Sequence, residues 1–190
     1  MRRSNYALVG AALAGALSLS SPSHAAVTVL GAGLARLCYE SADAAQPSKV
    51  GLQNCTRALN EEALSQRDRA ATFVNRGILH MYDKDLDKAL ADYDAGLALK
   101  PNLAEAYVNK GIALLHRGGQ DREAVAALSR GIELNTSQPE VAYYSRGVVN
   151  ELLGDAKAAY NDYRQAAALK PDWREPTTQL ARFTVVSKTN

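Results

Sequence analysis

Three segments of the chain repeat one pattern at nearly constant spacing: Phe73-Val-Asn-Arg-Gly77, Tyr107-Val-Asn-Lys-Gly111 and Tyr143-Tyr-Ser-Arg-Gly147. Their glycines lie 34 and 36 residues apart. Twelve or thirteen residues after each glycine comes Ala89, Ala124 or Ala159, and four further on Tyr93, Leu128 or Tyr163. Two units close with Leu-Lys-Pro, at Leu99–Pro101 and Leu169–Pro171. The apolar residues recur with helical period, which predicts helices over about 70–82 and 86–99, 103–117 and 122–134, and 139–153 and 156–169. Asp121 and Asp155 stand where N-caps are expected. A glycine inside a helix costs about 1 kcal/mol against alanine. Its recurrence in all three units therefore points to close packing of the second helix on the first. A helix pair of this size cannot bury its apolar face alone, so the units must stack.

This order of aromatic, Gly, Ala, aromatic and Pro at a 34-residue period resembles the tetratricopeptide repeat. The resemblance covers residues 69–171 well and 34–68 weakly. It implies an all-α fold of tandem antiparallel helix pairs in a right-handed superhelix, whose first helices line a concave groove for peptides or extended segments. The matching groove positions are Val74, Asn75, Ile78 and Met81; Val108, Asn109, Ile112 and Leu115; and Tyr144, Ser145, Val148 and Glu151. A side-chain amide can donate to and accept from a peptide backbone at once, which favours Asn75 and Asn109 as groove residues. Two readings of the Val and Ile rows are open: they receive apolar side chains of a ligand, or they pack into neighbouring helices. A clamp for C-terminal carboxylates, as in family members that carry a Lys/Asn/Lys/Arg set, is not expected, because the corresponding positions are largely Val, Ile and Glu.

Arg76 and Arg146 each precede an aspartate, Asp92 and Asp162, by 16 residues, whereas the middle unit has Lys110 and Ala127. Arg–Asp pairs tying first to second helices are expected, with an anion-binding row of Arg76, Lys110 and Arg146 as the alternative. Beyond Pro171, the spacing of Trp173, Leu180 and Phe183 predicts a last amphipathic helix that covers the third unit.

The first residues read as an export signal. Met1-Arg2-Arg3 is basic, Tyr6–Leu19 is an apolar run of 14 residues, and Ser23-His24-Ala25 offers small residues where a signal peptidase reads. Fourteen is short of the roughly 20 needed to cross a bilayer. Cleavage is expected after Ala25. The chain has 22 basic and 20 acidic residues, and the leader holds two arginines and no acid, so the remainder is 20 against 20. No basic footprint is left for nucleic acid or for a membrane surface.

Export makes Cys38 and Cys55 a candidate disulfide in an oxidising compartment, with free buried thiols as the other reading. Aligning the weak unit with the clear ones puts Cys38 on its first helix and Cys55 on its second, so the bond would staple a degenerate repeat. No Cys-x-x-Cys, Ser–His–Asp, Cys–His or phosphate-cradling glycine motif is present. His80 and His116 occupy different repeat positions, and the Asp83, Asp85, Asp87 run lacks the glycine and distal glutamate of a calcium loop.

The expected organisation is a cleaved leader at 1–25, a degenerate repeat at 26–68, repeats at about 69–102, 103–138 and 139–171, and a capping helix with tail at 172–190. The expected function is a non-enzymatic scaffold or adaptor, periplasmic or secreted, without catalytic residues, metal or cofactor. It binds a protein or peptide, not nucleic acid, and does not stay inserted in a membrane. The alternative is a structural or assembly subunit, possible as a homo-oligomer, that works through convex or terminal surfaces. An enzyme is the third and weakest reading.

Overall fold

A computed structural model of the chain describes residues 6–10 and 24–187. Helices dominate: α1 (Leu34–Asp43), α2 (Lys49–Glu61), α3 (Gln66–Tyr82), α4 (Leu86–Leu99), α5 (Ala104–Arg117), α6 (Asp121–Glu133), α7 (Pro139–Leu152), α8 (Ala156–Leu169) and α9 (Arg174–Leu180). They pack as successive pairs, α1 on α2 through α7 on α8, and each pair stacks on the next. Two short strands, β1 (Tyr6–Gly10) and β2 (Phe183–Ser187), pair antiparallel, with Tyr6 opposite Ser187 and Gly10 opposite Phe183.

Local chemistry sets most helix ends. The side chains of Ser48, Ser65, Asp85 and Asp155 each accept from a backbone N–H in the following first turn. Asp121 is not a cap: it is the first residue of α6, and Gln120 precedes it without a side-chain cap. Its carboxylate stands instead in the positive first turn of that helix. Lys84, Asn135 and Gly154 end α3, α6 and α7 in left-handed conformation. The next N–H then reaches back to His80, Gly131 and Asn150 oxygens, satisfying carbonyls the helix leaves open.

The recurring glycines are places of contact between the helices of a pair. A β-carbon at Gly77 would lie 2.6 Å from the Tyr93 ring, at Gly111 2.5 Å from Leu128, and at Gly147 2.8 Å from the Tyr163 ring. The large residue of each second helix thus sits where the glycine side chain would be. Carbonyl oxygens of Ala89 and Ala124 come within 3.1 and 3.2 Å of the same points. Tyr93, Leu128 and Tyr163 are all fully buried.

Arg76 grips Asp92 through Nε at 2.8 Å and Nη2 at 2.7 Å, and Arg146 grips Asp162 at 2.9 and 2.7 Å. Each arginine also donates to the previous unit's second helix, Arg76 to Thr56 and Arg146 to Ser129. Their guanidiniums lie over the Phe73 and Tyr143 rings. Lys110 instead reaches back to Asp94 on α4, at 2.5 Å. Every member of the candidate anion row is therefore already paired with a carboxylate.

Cys38 and Cys55 are both fully buried and joined as a disulfide between α1 and α2. At the other end the expected capping helix is shorter than its sequence pattern implied. α9 stops at Leu180, and Phe183 begins β2 instead of continuing the helix. The cap still forms: Trp173 meets Tyr144 with ring centroids 4.8 Å apart, and Phe183 meets Tyr160 and Tyr163 at 5.7 and 6.0 Å. Of the expected leader, residues 1–5 and 11–23 lie outside the described residues, as do residues 188–190 of the tail.

Candidate functional site

The face that carries Asn75 and Asn109 is occupied by the chain itself. Residues 24–30 run as an extended strap across the first helices before the chain enters α1. The Val27 N–H donates to Asn75 Oδ1 at 2.8 Å, and Asn75 Nδ2 donates to the Val27 carbonyl at 2.8 Å. The Ala25 N–H donates to Asn109 Oδ1 at 3.3 Å, and Asn109 Nδ2 donates back to the Ala25 carbonyl at 3.1 Å. Each amide treats one extended residue as a neighbouring strand would, closing a two-bond ring on its N–H and C=O. Both asparagines are fully buried, so without such partners each would leave polar atoms unsatisfied in a dry site.

The strap lies antiparallel to α3 and in step with it. Its Leu30 N–H donates to Asp68 at 3.3 Å, and at the other end His24 Nδ1 lies 3.3 Å from the Tyr82 hydroxyl. Three extended residues separate Val27 from either end, about 10 Å at 3.3 Å per residue. Seven helical residues separate Asn75 from Asp68 and from Tyr82, about 10.5 Å at 1.5 Å each. The two rises are close, so the strap keeps step with α3, with a tight γ-turn at Ala25 where the Ala26 N–H donates to the His24 carbonyl at 3.1 Å.

Side chains of the strap alternate as a strand requires. Ala25 and Val29 are buried, at 2% and 1% exposure, and Val27 is half-buried between them. Thr28 and Leu30 point outward, with Leu30 68% exposed. Val29 packs with Ala35, Ala58 and Ala71, and Val27 touches both this cluster and the main core. Gly31 and Gly33, with φ of 103° and 146°, turn the chain out of the groove. Glu62 then caps α1 by accepting from the Leu34 and Ala35 N–H groups, and a β-carbon at Gly33 would lie 2.6 Å from its Oε1.

His24 is half-buried, its Nε2 finds no partner among the described residues, and it packs edge-on against Tyr82. Burial, together with the nearby His116, lowers its pKa to about 4. The site holds it neutral.

The twelve expected groove residues divide by what they touch. Asn75 and Asn109 hold the strap. Val74 and Val108 turn onto their own second helices, where a β-carbon at Gly96 or Gly131 would lie 3.1 or 2.5 Å from them. Ile78 and Ile112 are fully buried in the main core, which also includes Met81. Leu115 bridges that core and the last one. Tyr144 and Val148 belong to the last cluster, Ser145 is buried at 2%, and Glu151 accepts from the Tyr163 hydroxyl and pairs with Arg182. Sequence reasoning missed the strap and its end contacts, Asp68 and Tyr82. The alternation of Ala25, Val27 and Val29 was the available signal, but it sat at the edge of the expected leader.

A cleft of about 570 Å³ between α4, α5 and α6 has its lysine and arginine paired. Lys110 pairs with Asp94 there, and Arg117 with Asp87. Among the described residues no three His, Cys, Asp or Glu side chains gather as metal ligands, and no helix is long and apolar enough to cross a membrane.

Comparison with known proteins agrees with this architecture. Residues 141–172, from the start of α7 to just beyond α8, match the tetratricopeptide repeat family model. A photosystem I assembly protein, Ycf3, from Acaryochloris marina is 36% identical over 89 residues, 45% of this chain and 53% of the relative. The chain thus spans about half the length of that relative. Among solved structures, MamA superposes with a TM-score of 0.64 at 20% identity, covering 80% of this chain and 82% of MamA. YrrB, described as a TPR protein with an unusual peptide-binding site, gives 0.59 at 24% identity over 66% of this chain and 62% of its own. The first TPR of Spaghetti (RPAP3), bound to an HSP90 peptide, gives 0.57 at 23% identity over 60% and 90%. At these identities the structural matches establish the fold alone: stacked helix pairs of tetratricopeptide type.

Proposed function

We propose that this chain, a tetratricopeptide-type stack with one repeat matched directly at 141–172, is a non-enzymatic scaffold that holds an extended peptide segment in its concave groove. The observation that carries this reading is the pair of buried amides, Asn75 and Asn109, at matching repeat positions. Each clasps both backbone groups of one extended residue. Such bonds read backbone, not side chain, and so suit a partner recognised by its extended shape. Tetratricopeptide scaffolds typically bind proteins or peptides, and the solved neighbours include one with a bound peptide.

The proposed location is the periplasm or cell envelope, after cleavage behind Ala25. The basic start and apolar run of the leader support it, and a disulfide at Cys38 and Cys55 suits an oxidising compartment. Cleavage there would remove Ala25 and both hydrogen bonds to Asn109, while Val27 stayed on Asn75. The processed groove would then hold one filled amide and one vacant one.

Crosslinking in cells followed by mass spectrometry tests the reading. Asn75→Ala with Asn109→Ala should abolish crosslinks between the exported protein and its partners. Undiminished crosslinks from a folded variant would assign binding to another surface. That second reading, an assembly subunit, has its own support. A relative is named as an assembly protein, and Leu152, Leu153 and Leu169 are exposed at the last unit.

A further inference from the structure

We propose that residues 25–29 are the groove's own ligand, that they define the class of partner the groove accepts, and that strap and partner exclude each other. The partner class is an extended segment with small or β-branched apolar residues at three alternate positions, running antiparallel to α3. The inference rests on Asn75 and Asn109 forming a peptide seat, as the proposed function does, but not on any cellular partner being captured there.

Three features of the strap dictate that chemistry. Residues at the Ala25 and Val27 places must each present an N–H, so proline is excluded from both. The inward side chains are Ala25, Val27 and Val29, and the first and last fill sites that are fully dry. Ala25 is only 2% exposed, so a large side chain in its place would need room the folded strap site does not offer. Thr28 and Leu30 are exposed and impose little, whereas Ala26 is half-buried against the main core and favours a small residue there too. β-Branched residues also favour the extended backbone that the matched rises require.

Exclusion follows from the count of groups. An asparagine amide offers one oxygen and one NH2, and the strap engages both in each of the two asparagines. In the unprocessed chain a second backbone finds no free seat until the strap lifts; after cleavage behind Ala25 the exclusion is confined to Asn75. Gly31 and Gly33 give the strap a swivel at its downstream end, beyond which α1 stays tied by its disulfide.

The test uses the full chain and a labelled synthetic peptide, His-Ala-Ala-Val-Thr-Val-Leu, blocked at both ends, read by fluorescence anisotropy. Ala25→Pro with Val27→Pro removes both N–H groups and should lift the strap. This variant should bind the peptide at least tenfold more tightly than the unaltered chain. Adding Asn75→Ala and Asn109→Ala should abolish that binding, and a peptide with proline at its second and fourth positions should not bind. If the folded strap-lifted variant binds no better than the unaltered chain, or takes the proline peptide equally well, the proposal is overturned.

Should the proline variant melt, hydrogen exchange on the unaltered chain decides. Excess peptide should speed exchange at residues 25–29, and unchanged exchange again overturns the proposal. Peptide binding here alongside undiminished cellular crosslinks in the Asn75→Ala, Asn109→Ala variant would sink the proposed function and leave this inference standing. The converse result would do the reverse.

Discussion

Single residues shape the seat of the strap and supply two tests. Asn75 and Asn109 were legible through the resemblance to the repeat family, whose groove positions they match 34 residues apart, and through the double hydrogen bonding an amide offers. Val74 and Val108 were not: a helix face spans enough arc that neighbouring positions turn to different partners. These two meet the second-helix glycines Gly96 and Gly131. Tyr93 carries a buried hydroxyl without a hydrogen-bond partner among the described residues. Tyr93→Phe removes the unsatisfied group and should raise stability by about 1 kcal/mol, read as a higher urea midpoint. His24 supplies a pH dependence in the unprocessed chain. Its docked pKa of about 4 lies below the ordinary 6.5, so docking is fully favoured above pH 6.5 and weakens as pH falls toward 4. His116 from α5 and Tyr82 from α3 are the titratable groups facing it. At pH 5 the lifted strap gains roughly twentyfold over neutral pH from this group alone. Hydrogen exchange at residues 24–27, corrected for intrinsic rate, should report it, and His24→Gln should flatten the response.

At the scale of helices, the repeat is held by contacts that cross three elements. Arg146 joins α7 to Asp162 on α8 and Ser129 on α6, and Asp162 also accepts from Asn150 at 2.9 Å. The within-unit pair could be read from its 16-residue spacing, since the two helices of a pair are close in sequence. The link to the previous unit could not, because it depends on how units stack. Asp162 is only 5% exposed, so Arg146→Met strands a buried carboxylate and should cost about 2–3 kcal/mol. Arg146→Met with Asp162→Leu should cost less than the single change, because it removes the stranded charge. Equal or greater loss in the double variant would count against this account. Lys110 illustrates the same limit: with Ala127 at the aspartate position, it turns back to Asp94 of the preceding unit.

For the whole molecule, the ends differ from the middle because a terminal unit lacks one neighbour. The first pair carries the disulfide, whose 17-residue loop is worth about 3 kcal/mol in the chain-entropy model. The last pair carries Trp173 and Phe183 instead. Reduction should therefore raise hydrogen exchange first in α1 and α2 and leave α7 and α8 little changed; a uniform rise would show that the stack unfolds as one unit. By itself, the sequence determined the stacked helix pairs, their turns and the glycine contacts. All of these follow from periodicity and from interactions between residues close along the chain. Only the tertiary structure decided what fills the groove, where Lys110 turns, and that Phe183 leaves the last helix to pair with residues 6–10. Those contacts join segments far apart in sequence, up to 84 residues for Ala25 and Asn109. Periodicity carries no record of such pairings; they exist only once the helices have set the distance between the partners.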